Sequence, residues 1–159
     1  MINIDFFYDG KTIPFENNTF DSILSTEVFE HVFNLPELLS EINRVLKSDG
    51  ILLITCPFII AEHEVPNDFA RYTSFGIKHL LNDAGFEIIK YKKIGTSFES
   101  VMQVFMSYLD SYVISKLNFF KPLKWIFGTF IICFANIATI IINEINPIIV
   151  LYLIFSLNL

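Results

Sequence analysis

The stretch GILLITCP at residues 50–57 decides the fold class. It is a continuous apolar run that follows one turn residue and ends at a proline, as expected for a strand that is buried on both faces. Strands of this kind belong to parallel sheets, in which helices cover both sides of the sheet. We therefore predict an α/β fold.

Strands and helices alternate on both sides of this run. Apolar or β-branched runs predict further strands, and apolar residues at three- and four-residue steps predict helices. The strands are expected at 4–8, 20–26 and 86–91, and the helices at 36–47 and 74–84. Pro36 can open the first helix and Gly50 ends it, whereas Ser74 is the expected N-cap of the second. This alternation is typical of a doubly wound, Rossmann-like sheet.

Composition narrows the function classes. With 159 residues and 53% hydrophobic side chains, the chain is large enough for one domain with a core and too apolar to be disordered. The net charge of −6 excludes a protein that tracks nucleic-acid phosphates along a basic stripe. The two cysteines form no C-x-x-C pair and the N-terminus has no secretory pattern, so a cytoplasmic, reducing compartment is expected.

The second half of the chain differs in composition from the first. Of the 28 charged side chains, 22 lie in residues 1–96, and the remainder of the chain is rich in Ile and Phe. Residues 98–117 have the spacing of an amphipathic helix that packs on protein. We accordingly divide the chain into an α/β part at 1–96, a hydrophobic helical hairpin at 97–146 and a final strand at 147–159.

A membrane interaction is predicted for the segment 125–142. It has 18 residues, none of them charged, with Lys124 before it and Glu144 after it, which is long enough to span a bilayer. A final strand that returned to the sheet would forbid a single crossing. A hairpin on the membrane surface, or one buried in protein, is then the alternative.

Three segments in register carry a family resemblance. They are DGKTIPFENNTFDSILSTEVFEHV at 9–32, EINRVLKSDGILLITCPF at 41–58 and EHEVPNDFARYTSFGIKHLLNDAGFEI at 62–88. Together they resemble class I S-adenosylmethionine (SAM) dependent methyltransferases, specifically the type 11 group that includes ubiquinone-biosynthesis enzymes. The resemblance covers roughly residues 4–95 and implies SAM as cofactor. The family's glycine-rich SAM loop has no counterpart, because no two of the six glycines form a G-x-G. We therefore expect a partial sheet that lacks the N-terminal strands.

The resemblance implies a cofactor-binding set. Asp9 would accept the adenine amino group, Gly10 would approach the ring, and Thr26, Glu27 and His31 would line the pocket at the end of the second strand. Asp9-Gly10 can instead be a simple turn. His31 can instead be a helix-end histidine that bonds to backbone.

The loop at 61–73 is predicted to carry the acceptor chemistry. Methyl transfer requires an aligned acceptor and removal of its proton, so we predict His63 as general base and Asp68 as second choice. Arg71 would clamp the acceptor and Tyr72 would pack on it. The alternative is an Asp68–Arg71 pair that only pins the loop. We predict no metal site, because no second histidine follows Glu62-His63 at helical spacing.

These residues predict a truncated SAM-dependent methyltransferase that transfers to oxygen on a small or lipid-linked acceptor. A noncatalytic, membrane-associated fragment that binds no SAM is the alternative. A third interpretation has a separate chain supplying the missing strands, and it predicts an aggregation-prone protein.

Overall fold

A computed structural model of the chain describes residues 5–93, 97–114, 116, 126, 128–131, 133, 134, 137, 138, 140, 141 and 151–157. Its strands are β1 (Phe20–Thr26), β2 (Leu46–Thr55), β3 (Phe86–Lys93) and β4 (Leu151–Leu157). Its α-helices are α1 (Leu35–Val45), α2 (Ser74–Asp83) and α3 (Ser97–Tyr108). A 3-10 turn at Phe29–His31 precedes α1, and a π-helical turn at Leu109–Ile114 follows α3.

The four strands form one sheet in the order β1-β2-β4-β3. β1 and β2 run parallel, with Thr26 opposite Thr55, whereas β4 runs antiparallel to β2. The predicted α/β fold with a partial Rossmann-like sheet is therefore confirmed. The carboxyl ends of β1 and β2 meet at one edge, which is where parallel sheets place their ligands.

The core lies between the sheet and the apolar faces of the first two helices. Helix α1 buries one stripe of side chains at the predicted helical spacing, and α2 adds Ile77 and Leu81. From the sheet, Leu52 and Ile54 are fully covered. Each such side chain contributes about 1.5–3 kcal/mol when it is removed from water. The buried stripe of α1 consists of Leu35, Leu38, Leu39, Ile42 and Val45.

The boundary between α1 and β2 differs from the sequence expectation. Helix α1 ends at Val45 and β2 begins at Leu46, so Gly50 is not the helix stop but lies inside the strand. The pairing register with β1 jumps here, from Phe20↔Leu46 to Ser22↔Ile51. The residues between them therefore form a bulge. Ser48, Asp49 and Gly50 are residue types that favour turns, so the sequence pattern predicts a turn here. In the structure β2 pairs with β1 on both sides of these residues, and they become part of the strand.

Three further expectations are corrected. Residues 5–8 of the strand predicted at 4–8 are not in a strand, and Phe7 is 78% exposed, because the segment does not pair with the sheet. Thr73, not Ser74, caps α2, since its hydroxyl accepts the Gly76 N–H at 3.1 Å. The α-helix predicted at 98–117 ends at Tyr108, and the π-helical turn at Leu109–Ile114 follows it.

The chain divides into two compact units. The first comprises Met1–Phe58, His63–Lys92 and Leu151–Leu159 and holds the sheet, and the second comprises Ile59–Glu62 and Lys93–Val150 and holds α3. Much of the predicted membrane segment 125–142 lies outside the described residues. Among the helices that are described, none combines the length and apolar character needed to cross a bilayer.

Arg44 fastens the loop that precedes β1 to the polar side of α1. Its guanidinium donates to the carbonyls of Ile13 and Phe15 at 2.9 and 2.8 Å and forms a two-point contact with Glu41 at 2.8 Å. Glu41 also accepts the Ile13 N–H at 2.8 Å. These contacts lower the pKa of Glu41, with the Arg44 hydrogen bonds as the main cause.

We expect Gly50→Ala to destabilise the protein by about 1–3 kcal/mol, which is typical of overpacking a dense core. An added Cβ at Gly50 would lie 2.6 Å from the Leu46 Cδ2 and 2.9 Å from the Lys47 carbonyl oxygen. Chemical denaturation measures the change. Gly76→Ala is the matched control, because its added Cβ meets only the Thr73 hydroxyl at 3.3 Å. Equal stability of the two variants would contradict the close approach at the bulge.

A second prediction concerns how the stability contributed by Glu41 depends on pH. Because the pKa of Glu41 is lower in the folded chain, its contribution to stability is present above the ordinary glutamate value of about 4.3 and is lost as the pH falls through the folded value. Glu41→Gln should be less stable than the wild type at pH 7, and the two should converge on acidification. Urea denaturation from pH 7 to pH 3 tests this, with the exposed Glu87→Gln as control. A deficit that does not change with pH would exclude the ion pair as its source.

Candidate functional site

The candidate site begins where β1 and β2 end. Thr26 is the last residue of β1, and the N–H of the following Glu27 donates to the Thr55 carbonyl at 3.0 Å. Glu27 has a φ of 52°, which is unusual for a residue with a side chain. Strained backbone of this kind concentrates at functional sites. The turn it makes leads the chain into the 3-10 turn that carries Glu30 and His31.

Three hydrogen bonds fasten the 61–73 loop to the 3-10 turn. The Glu30 carbonyl accepts the N–H groups of Phe69 and Ala70 at 2.8 and 3.1 Å. His31 Nδ1 lies 2.6 Å from the Asn67 carbonyl oxygen. Two segments more than 30 residues apart in the chain are thereby held side by side.

These hydrogen bonds bring together two of the predicted site residues, His31 and His63. The rings of His31 and His63 meet edge to face, with centroids 4.8 Å apart. Glu30 and Glu64 flank the pair, because a carboxylate oxygen of each lies 3.8 Å from His31 Nε2. The backbone hydrogen bond of His31 agrees with the structural alternative considered for it, yet its second nitrogen faces these polar groups.

Asp68 and Arg71 form the paired arrangement that was the alternative to acceptor binding. Both terminal nitrogens of Arg71 donate to Asp68, one of them at 2.7 Å, and Asp68 also accepts the His63 N–H at 3.0 Å. The Arg71 hydrogen bonds hold the pKa of Asp68 well below its ordinary value. A carboxylate so stabilised in its charged form is a weak base, so the geometry favours the loop-pinning role for both residues.

The buried Glu30 and Cys56 and the half-buried Tyr72 have raised pKa values. Burial raises the pKa of Glu30, and burial together with the nearby glutamates raises the pKa of Cys56 to about 12. The thiol of Cys56 is therefore protonated at neutral pH and is a poor nucleophile. Burial also raises the pKa of Tyr72, to which Cys56 and Glu30 contribute. The side chain of Tyr72 is half-buried.

One set of side chains could hold a metal ion. Glu30, His31 and His63 each offer one ligand atom, and these atoms lie within 4.8 Å of one another. The sequence predicted no metal site because it contains no such spacing. Residues 31 and 63 become neighbours only through the fold.

Asp9 and Gly10 lie in a turn. The Asp9 Oδ1 accepts the N–H groups of Lys11 and Thr12 at 2.9 and 3.1 Å, which supports the turn interpretation. Gly10 has a φ of 85°, and a Cβ added there would meet nothing within 4 Å. The space around Gly10 is therefore open, and the adenine-binding role that the resemblance implies stays a prediction.

Glu30, Asn67 and Cys56 were not among the predicted site residues. Glu30 is fully buried, Asn67 positions His31 through its backbone, and Cys56 follows β2. The Glu30-His31 pair directly after a strand end was a usable signal for Glu30. The role of Asn67 had none, because any residue carries a carbonyl.

Comparison with known proteins finds a family likeness for one segment of the chain. Residues 7–54 match the profile of the methyltransferase domain family. This segment of the chain is similar to part of a methyltransferase domain. This domain segment includes β1, the 3-10 turn, α1 and most of β2, and the resemblance to class I methyltransferases found in the sequence is confirmed.

The methyltransferase-like chain has curated relatives of different activities. It is 31% identical over 97 residues to the mitochondrial arginine-hydroxylase NDUFAF5 of Danio rerio, a match that covers 51% of the chain and 30% of the relative. It is 29% identical over 117 residues to a sterol 24-C-methyltransferase of Pneumocystis carinii, covering 74% of the chain and 29% of the relative. The chain thus spans about a third of the length of the curated relatives it matches.

Solved structures share the fold. The cyclase SpnF superposes with a TM-score of 0.55 at 20% identity, covering 96% of the chain and 54% of that structure. A methyltransferase from a Haloferax volcanii complex with a methyltransferase activator superposes with a TM-score of 0.50 at 23% identity, covering 55% of the chain and 42% of that structure. These similarities show the fold alone.

The His31 contact predicts a specific tautomer. Because a carbonyl oxygen only accepts hydrogen bonds, Nδ1 must carry the proton toward Asn67, which leaves the lone pair on Nε2. Nitrogen-detected NMR of ¹⁵N-histidine-labelled protein at a pH where the rings are neutral should show His31 as the Nδ1–H tautomer. The exposed His79 serves as control. An Nε2–H pattern for His31 would contradict the fastening of the loop.

Proposed function

We propose that the chain is the acceptor-side part of a SAM-dependent methyltransferase, and that it transfers the methyl group to oxygen on a small or lipid-linked acceptor. The observation that carries the proposal is the packing of His31 against His63 at the carboxyl ends of β1 and β2. In parallel sheets this edge is the ligand-binding edge. The methyltransferase domain match over residues 7–54 supports the reaction class.

His63 is the proposed general base. It is carried by a loop that Asp68 and Arg71 hold in place, and its ring is 31% exposed, so that an acceptor hydroxyl can reach it. Its partner His31 is fixed by the Asn67 carbonyl and borders the same space. Asp68 and Arg71 lie 3.5 and 3.4 Å from His63 Nδ1, so this ion pair positions the ring of the proposed base.

The cofactor would supply an electrophilic methyl group on a sulfonium. Asp9 and Gly10 are proposed to hold its adenine end, and Thr26 and Glu27 to border the remainder. The reaction needs an aligned and deprotonated oxygen rather than a covalent enzyme intermediate, which agrees with the protonated state of Cys56.

The test is methyl transfer from methyl-labelled SAM to a panel of hydroxylated acceptors, with and without lipid tails. His63→Gln should lower kcat about 10²–10⁴-fold, as loss of a general base does, and the effect should shrink at high pH. His79→Gln, an exposed histidine on α2, should leave the rate unchanged. Unaltered transfer by His63→Gln would remove the base assignment.

Binding separates this proposal from the noncatalytic alternative. Titration calorimetry with SAM and with its demethylated product should show heat from the folded chain. A folded sample that gives no heat with either would favour the noncatalytic fragment.

A further inference from the structure

The carboxylate of Glu30 is buried without a hydrogen-bond partner among the described residues. Its side chain is fully buried, and within the described part of the chain no donor reaches either carboxylate oxygen. A buried carboxyl group without a hydrogen-bond partner is costly, so proteins usually pair it with a cation or a metal ion. The two histidines in the cluster, His31 and His63, form no hydrogen bond to it.

The geometry of His31 is that of a metal ligand. Its Nδ1 is held by the Asn67 carbonyl, which leaves Nε2 with a lone pair 3.8 Å from Glu30 Oε1. Metal-bound histidines almost always direct their other ring N–H to a carbonyl or carboxylate, because this contact fixes the tautomer and ring orientation. The carbonyl of Asn67 supplies that outer contact.

His63 provides the third ligand from a surface loop, through a partly exposed side chain. The three ligand atoms lie within 4.8 Å of one another, whereas atoms about 2.1 Å from a shared ion are about 3–3.4 Å apart. A contraction of roughly 1–2 Å is therefore needed. His63 belongs to a surface loop and is 31% exposed, so its side chain can supply most of this movement.

The charges around the cluster favour a cation. Glu30 lies within it, and Glu64 is 3.8 Å from His31 Nε2. Asp68 is 3.5 Å from His63 Nδ1, and Arg71 is 3.4 Å from the same nitrogen. Because Asp68 accepts from both terminal nitrogens of Arg71, the guanidinium charge is balanced. The carboxylates then outnumber the cations.

We propose that Glu30, His31 and His63 bind one divalent transition-metal ion through a carboxylate oxygen and two imidazole nitrogens, with Glu64 in reach as a fourth ligand. Two imidazoles and a carboxylate suit ions such as Zn²⁺ and Fe²⁺ rather than Mg²⁺ or Ca²⁺. The site itself is independent of methyl transfer. Its role rests on the proposed function: the ion would bind the acceptor oxygen and lower the pKa of its hydroxyl, whose proton would pass to solvent, and His63 would then be a ligand instead of the base.

The test titrates Zn²⁺ into the full 159-residue chain after treatment with a chelator, followed by calorimetry. We expect one Zn²⁺ per chain, and at least 100-fold weaker binding for Glu30→Gln and for His63→Gln. Cobalt substitution should give visible ligand-field bands that both substitutions abolish. Matched controls are His79→Gln and Cys133→Ser, which remove an exposed histidine and an exposed cysteine and should bind as the wild type does.

Melting curves show whether a variant has merely unfolded. Glu30→Gln replaces a buried, unpaired carboxyl with a neutral group of the same shape, so without metal it should melt no lower than the wild type. With Zn²⁺, the wild type should gain melting temperature and Glu30→Gln should not. Wild-type protein that binds no Zn²⁺, equal affinity in Glu30→Gln, or loss of binding in Cys133→Ser would each overturn the site. None of these readouts depends on methyl transfer.

Discussion

The parallel pairing of β1 with β2 is the constraint on which the rest of the structure depends. It brings Thr26 opposite Thr55, so that both strands end at the same edge and both following segments start there. The left-handed Glu27 bonds back to Thr55 and turns the chain away from the sheet. Without that pairing, the 3-10 turn and the 61–73 loop would have no common edge from which to meet.

The pairing is stabilised by the packing of one hydrophobic cluster. The apolar stripe of α1 and the inner residues of β2 form one hydrophobic cluster with Phe29 of the 3-10 turn. Burial of Phe29 sets the position of its neighbours Glu30 and His31. The same core that stabilises the sheet therefore carries a carboxylate into the interior, at a cost that the described side chains leave uncompensated.

The loop at 61–73 is an example of polar residues with a structural task. Asp68 accepts a backbone N–H and the guanidinium of Arg71, and the carbonyl of Glu30 accepts two loop N–H groups. These contacts occupy Asp68 and Arg71, which the sequence pattern assigns to catalysis and to acceptor binding. The proposals for proton transfer and for metal binding therefore both centre on His31 and His63 instead.

The amino-acid sequence by itself determined the fold class, the strands β1, β2 and β3, a final strand near the end of the chain and the helices of the α/β part, because periodicity and apolar runs are local properties of the chain. It also identified the loop that carries His63 and the position of His31. Only the tertiary structure decided that Gly50 belongs to a strand, that Asp68 and Arg71 pair, and that Glu30 is buried beside two histidines. Each of these features depends on contacts between distant parts of the chain or on how a loop folds. The spacing of residues along the sequence does not show which groups will become hydrogen-bond partners in the folded chain.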